Sequence, residues 1–421
     1  MSTTAESHLM RNTNFRWLLG GGLVSMLGDQ FSMLALPWLV LSLTGDSLSL
    51  GIAVALMGAP RAVLILLGGT VADRHSPRRV LLASKLANAA ILLALAGLLM
   101  LDQASLALAY AAALALGIAS AFGIPAGTAI LPQAVPAQSL QAANSLQMGA
   151  RQLSLLAGPL LAALVLGTHD GAQHTGMAAL AAAFAIDALT FLFSAWTLRQ
   201  VSLRPLAVAA AQGMWRDMAA GLAMVWRDIP LRSCYVYWAV VAFFVMGPLQ
   251  VALPVLASER LHGAAALGVL MGTHGAGTLA GMLASSLGGA WLRRRFGATL
   301  LLVDAVVGLL LMALGQIGTA WQGAALLAVT GMLGGYVQVA IFTWIQRRVA
   351  PAMLGRAMAL FMGIFLGLAP LSAAATGALL RHLSVGELFC AGGALLLAAA
   401  GAAILWTDIP RIGASDYAVQ P

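Results

Sequence analysis

The chain has 421 residues, 61% of them hydrophobic and 9% charged, with a mean hydropathy of +0.92 and a formal net charge of +8. A water-soluble domain carries about 25% charged residues, so the composition excludes a soluble globular protein. The same positive charge that would suggest nucleic acid in a soluble protein here suggests basic loops on one face of a membrane.

A spanning helix needs about 20 apolar residues. Segments of that kind fall at 17–43, 48–72, 79–101, 104–130, 140–167 and 176–198, and again at 231–257, 264–290, 299–318, 321–346, 355–381 and 386–407. The expectation is an all-α membrane protein with twelve spans in two six-helix bundles, residues 1–198 and 231–421. The first span has no small-residue cleavage site after it and is expected to be retained. Residues 199–230 form a polar linker whose MWRDMAAGLAMVWRD stretch has helical spacing suited to a membrane surface. With both termini on the cytoplasmic side, 18 of the 22 basic residues fall in cytoplasmic segments or at their helix ends. Arg260 and Arg381 fall outside, and Arg61 and Arg151 within the membrane, a strong positive-inside pattern.

The halves repeat. Ala35-Leu36-Pro37, Leu50-Gly51 and Gly68-Gly69 in the first are echoed by Ala252-Leu253-Pro254, Leu267-Gly268 and Gly288-Gly289 in the second. Paired halves of this kind place a binding site between them near the midplane. The basic turn after the second span carries Gly69, Asp73, Arg74, His75, Arg78 and Arg79. Within it Ser76-Pro77 reads as an N-cap followed by proline at the first helical position. The matching loop WLRRRFG is basic but lacks the aspartate.

Four charges lie inside spans of the first half: Asp29, Arg61, Arg151 and Asp187. Counted from their cytoplasmic helix ends, all lie about 17 Å deep at 1.5 Å per residue. Each costs about 3 kcal/mol there, so they must pair or line a wet cavity. Asp29 and Arg61 are on consecutive antiparallel spans at matching depth, and the expectation is that they pair. A structural ion pair and a proton or substrate site both fit; Gln30 and Gln147 join Asp29, Arg61 and Arg151 as candidates for the second. The fifth span holds small residues at Ala150, Ser154, Gly158 and Ala162 with Pro159, and the eleventh at Gly355, Ala359, Gly363 and Gly367. Close helix packing explains both stripes. In the second half, Gln250, His274, Asp304 and Gln338 are polar within apolar runs. His274 reads as a packing residue or a proton carrier, and Asp304 as a helix-end residue that caps or snorkels. Phe31, Trp38 and Trp344 are lipid-facing, packed or in contact with an apolar substrate.

Cys234 and Cys390 imply no disulfide framework and no metal site. There is no P-loop, H-E-x-x-H or G-x-S-x-G, so no catalytic constellation and no cofactor is expected.

The chain resembles the major facilitator superfamily over nearly its whole length, and within it the bacterial efflux branch of enterobactin-exporter and macrolide-efflux type. The resemblance rests on LGDQFSMLALPWLVLSLTGDS, GGTVADRHSPRR, ANSLQMGARQLSLLAGP and FAIDALTFLFSA. It implies the pseudo-symmetric major facilitator fold in a bacterial inner membrane, alternating access, and a monomer. Small substrates, protons and lipid are the implied partners, and nucleic acid is not. It makes Gly158-Pro159, with Ser154 and Ala162 in place of two glycines, a degenerate antiporter motif. It places spans 1, 2, 4 and 5 around the cavity, which favours Asp29, Arg61 and Arg151 as site residues and Asp187 as structural. It makes Asp73 a gate residue against the start of span 11, with Arg356 as partner. The family's arginine in span 4 is missing here. The implied function is proton-coupled efflux of a small amphiphilic molecule, with import of a metabolite or lysolipid transport as alternatives on the same fold.

Overall fold

The structure, a computed structural model, describes residues 9–167, 176–203, 214–261, 263–287 and 295–413. Among these residues there is no strand. The helices are α1 (Thr13–Thr44), α2 (Ser47–Arg74), α3 (Pro77–Met100), α4 (Leu106–Ala134), α5 (Leu140–Gly167) and α6 (Met177–Arg199). A shorter α7 (Met214–Arg227) leads to α8 (Ile229–Arg260), α9 (Ala264–Leu287), α10 (Phe296–Leu314), α11 (Ala320–Arg348), α12 (Pro351–Leu379) and α13 (Val385–Trp406). All but α7 are long and apolar enough to cross a membrane, so the chain is a multi-pass membrane protein with 12 spans. Each end lies within about four residues of the boundary read from the sequence.

The helix starts follow from side-chain caps. Asn12, Asp46, Ser105 and Asp228 each accept the backbone N–H three residues on. Thr319 and Ser384 open capping boxes with Gln322 and Glu387. The α1–α2 turn needs Gly45, at φ 60°. Helix α3 starts at Pro77 as expected, but the Ser76 side chain makes no capping hydrogen bond.

The chain divides into two compact units. The first comprises Met1–Ala209 and Ala257–Gly272, the second Ala210–Leu256 and Thr273–Pro421. Lipid offers little hydrophobic drive between helices, so close approach at small residues does the work. In the first unit α1 meets α6 at Gly21 and Gly28, where a Cβ would collide with Thr197 and Thr190. Gly68 and Gly117 let α2 and α4 touch backbone to backbone, at Ala121 and Met57. Gly158 of α5 receives the Gln30 side chain of α1, and Gly268 at the start of α9 lies against Pro159 and Ala163 of α5. Helix α5 continues through Pro159.

In the second unit α9 and α11 exchange four such contacts, at Gly277, Gly281, Gly331 and Gly335. An aromatic core joins α8, α10, α11 and α12: Trp344 stacks on Phe296 at 5.3 Å, and Trp238 meets Trp344 at 6.0 Å and Phe361 at 5.3 Å. Phe31, Trp38 and Trp344 are all buried, as packing residues. His274 hydrogen-bonds the Leu327 carbonyl of α11 at 3.3 Å, the packing role. Pro248–Ala252 in α8 is a π turn, whereas the repeated Ala35-Leu36-Pro37 stays α-helical. Helix α7 packs on α12 through Gly221, which lies against Arg356 and Leu360.

The eleventh-span stripe departs from the packing expectation. Among the described residues nothing approaches a Cβ built at Gly355, Gly363 or Gly367 within 4 Å. The stripe is there, but α12 does not present it to a neighbour within its own unit.

Candidate functional site

Asp29 on α1, Arg61 on α2, Lys85 on α3 and Asp187 on α6 form one electrostatic cluster inside the first unit. Two acids and two bases make it neutral when all are ionised. The local packing explains why Asp187 is there. The glycine seam at Gly21 and Gly28 draws α6 onto α1, and Asp187 lies opposite Gly28, beside Thr190. Asp187 is 1% exposed. Ser32 Oγ, one turn beyond Gly28, donates a short hydrogen bond to its Oδ2, and Thr190 Oγ1 donates to its Oδ1 at 3.3 Å. Helix α3 packs against α4 through Ser84, whose hydroxyl donates to the Ala119 carbonyl at 2.8 Å. The next residue, Lys85, reaches the other way: its Nζ donates to Ser25 Oγ at 3.1 Å and lies 5.4 Å from the Phe191 ring centre.

Asp29 makes no hydrogen bond or direct ion pair among the described residues, and the charges acting on it are Lys85 first and Arg61 second. The expected direct pair of Asp29 with Arg61 is therefore not formed. Lys85, with its Nζ on Ser25 Oγ, is the stronger of the two charges acting on that carboxylate. Arg61 keeps a buried Nε with no hydrogen-bond partner. Unit charges about 8 Å apart still interact by about 2 kcal/mol at an effective dielectric of about 20. Asp29 and Arg61 are thus held in the cluster by field rather than by locked contacts, and Asp29 has two cations between which to shift.

Lys85 was counted from the sequence among residues at a cytoplasmic helix end; it lies inside the bundle. Asp187, expected to be structural, is hydrogen-bonded into the α1–α6 seam but also carries charge into the cluster. Arg151 does not join it: this side chain is exposed and makes no ion pair among the described residues. Gln30 is buried against Gly158, and Gln147 is half-buried on α5. Gln152, which the sequence reading passed over, is buried with its Oε1 unpartnered.

The fifth-span motif is used for packing. Ser154 Oγ donates to its own helix at Ala150 O, 2.9 Å away. Ala162 is fully buried, Pro159 borders α9, and Gly158 holds Gln30. In the basic turn, Arg78 Nη2 donates to the Arg199 carbonyl at 2.6 Å, capping the end of α6. Arg74 and Arg79 are exposed, and a Cβ at Gly69 meets no neighbour. Only Gly68 marks a close approach there. The Asp73 side chain lies outside the described residues, as do most of the WLRRRFG loop and residues 204–213. Arg356 Nη1 donates to Met353 Sδ at 3.0 Å, and its stem covers Gly221.

Among the described residues no group of three or more His, Cys, Asp or Glu is arranged to hold a metal. Both cysteines are free.

The model of the Major Facilitator Superfamily matches residues 18–374. Among curated proteins, the enterobactin exporter of Citrobacter koseri is 25% identical over 359 residues, covering 83% of this chain and 81% of the exporter. That of Escherichia coli is 24% identical over 357 residues, with the same coverages of 83% and 81%. Among solved structures, a nucleoside transporter superposes with a TM-score of 0.71 at 14% identity, covering 92% of this chain and 99% of that one. A bacterial homologue of the iron transporter ferroportin gives 0.71 at 16% identity, with coverages of 92% and 97%. A D-xylose–proton symporter gives 0.69 at 12%, with coverages of 97% and 98%. These structural likenesses establish the fold. The chain belongs to the Major Facilitator Superfamily and is a multi-pass transporter, not an enzyme.

Proposed function

We propose that this transporter exports a small amphiphilic molecule, a siderophore or drug-like compound, from the cytoplasm across a bacterial inner membrane in exchange for protons. Its termini face the cytoplasm, in keeping with the basic loops. The observation that carries the reading is Asp29: an acid inside a span, without a direct partner, between Lys85 and Arg61. A carboxylate in that position is stabilised by two nearby cations when charged. When protonated it releases them to Asp187 or to an anionic group of a substrate. Binding a proton and rearranging the cations are then the same event, which is what exchange by alternating access requires. The enterobactin exporters among its relatives support outward transport and a substrate of that size. Asp73 and Arg356 are the proposed gate pair, by resemblance alone; Asp73→Asn is expected to shift the resting population and slow transport, read by cysteine accessibility of the two faces.

The test is accumulation in cells lacking their main efflux pumps, with and without this protein, across siderophores, macrolides and lipophilic dyes. Lower accumulation that a protonophore abolishes supports the reading. Raised accumulation points instead to import. No change across the panel, with uptake of lysolipids, points to lipid transport.

A further inference from the structure

Among its described residues the second unit contains one buried acid that the reading above does not use. Asp304 lies eight residues into α10, and Tyr237 eight residues into α8, which starts at the same end of the unit. That end is marked by the ion pair of Arg348, in the last turn of α11, with Asp228, the N-cap of α8, at 2.9 Å. It is marked also by the contact of Gly297 with Ile409 beyond α13. At 1.5 Å per residue both side chains are about 12 Å inside. Asp304 is 8% exposed and Tyr237 5%. Expected from the sequence to cap or snorkel, Asp304 does neither. Its helix begins three residues earlier than the apolar run suggested, so the carboxyl is carried inward by about one turn.

Two orphaned polar atoms face each other here. Tyr237 is the hydrogen-bonding group that acts on the Asp304 carboxyl, but the contact falls short of full hydrogen-bond geometry at Tyr237 Oη and Asp304 Oδ2. Among the described residues no cation acts on the acid. From α8 the titratable neighbours are Tyr237 and Cys234. From α11 the nearest charges are Arg347 and Arg348 in the last turn, and Arg348 is engaged by Asp228. From α13 they are Cys390, beside Gln316, and Glu387, which caps its own helix start at the opposite end of α10. Asp408 and Arg411 beyond α13 pair with each other at 3.3 Å in the open. The remaining surroundings on these helices are the aromatic core of Trp238, Trp344 and Phe296.

A carboxylate with one imperfect hydrogen bond from a phenol and no counter-charge on the described helices would cost several kcal/mol in such a place, and acids so placed shed their charge by taking up a proton. We infer that Asp304 is a second proton-binding site, in the second unit, separate from the Asp29 cluster and holding its proton in this conformation. Uptake forms one O–H bond on the carboxyl and takes its charge from −1 to 0, the proton coming from water; release reverses the step. Tyr237 provides the facing hydroxyl. The inference does not depend on the direction or substrate of transport, and it holds or fails independently of the efflux reading.

Infrared difference spectroscopy on the full-length protein in lipid nanodiscs at neutral pH tests it. Asp304→Asn, which mimics the shape of the neutral acid, is expected to abolish one protonated-carboxyl stretching band that Asp29→Asn leaves in place. Transfer to D2O is expected to shift that band, because a working site exchanges with water. A band that survives Asp304→Asn, or one that does not move in D2O, overturns the proposal. If Asp304→Asn does not fold, Tyr237→Phe serves: it keeps the carboxyl and removes the hydroxyl, and the band is expected to shift. An unshifted band then overturns it.

Discussion

The two units bury different things. The first, α1 to α6, closes around four charges and holds them with a glycine seam and a few hydroxyls. The second, α8 to α13, closes around five aromatic side chains, Tyr235, Trp238, Phe296, Trp344 and Phe361, and buries Asp304, on which no cation acts among the described residues. Both pack helices at glycines, so the difference is not in how backbones meet. It is in what the side chains do once they have met. A ring core is cohesive in one arrangement and gains little from moving. A balanced charge cluster has several arrangements of similar energy, and a proton or an anion selects among them. The first unit is thus the one built to respond, and the second the one built to hold its shape.

That contrast can be broken by mutation, most severely in the aromatic core. Trp344→Ala leaves a cavity between Phe296 and Trp238, and large core truncations cost about 3–5 kcal/mol. A marked fall in thermal stability in detergent is expected, with no change in the proton dependence of whatever transport remains. Lys85→Met is next. It strips two acids of a shared cation, and breaking a buried charge set costs about 3 kcal/mol or more. The double variant Lys85→Met with Asp187→Asn is expected to recover most of that stability but not coupled transport; a thermal-shift double-mutant cycle reads the coupling. Gly28→Ala pushes a methyl into Thr190 and Asp187, and overpacking of this kind costs about 1–3 kcal/mol. Thr190→Ala is expected to restore it. The smallest effect belongs to Gly363→Ala. Nothing is within reach of the added methyl within the unit, so stability is expected to change by less than about 0.5 kcal/mol.

Much of this was readable in the sequence. Twelve apolar runs gave twelve spans, and Asp29 and Arg61 stood out as charges deep within them. The two residues misread, Lys85 and Asp304, failed for one shared reason. The apolar runs begin at 79 and 299, whereas α3 and α10 begin at Pro77 and Phe296. Two or three residues, about 3–5 Å of rise, separate a charge that reaches water from one that cannot. Arg151 is a separate case: it lies outside the charge cluster, exposed on α5. Depth can be counted along a sequence, but the face a helix turns to its neighbours depends on which helices those are. The glycine stripes of α5 and α12 make the same point. They look alike as strings, and only the first meets a partner within its own unit.

The most direct measurement of the central claim is substrate-dependent proton flux in proteoliposomes carrying the wild-type chain or Asp29→Asn, with a substrate identified by the accumulation panel. The account predicts that the wild type exchanges protons for substrate under an imposed pH gradient. Asp29→Asn should lose at least about tenfold in gradient-driven rate, equal to about 1.4 kcal/mol, while still equilibrating substrate without a gradient. An Asp29→Asn protein that keeps full gradient-driven exchange would contradict it, and would move the coupling proton to another acid.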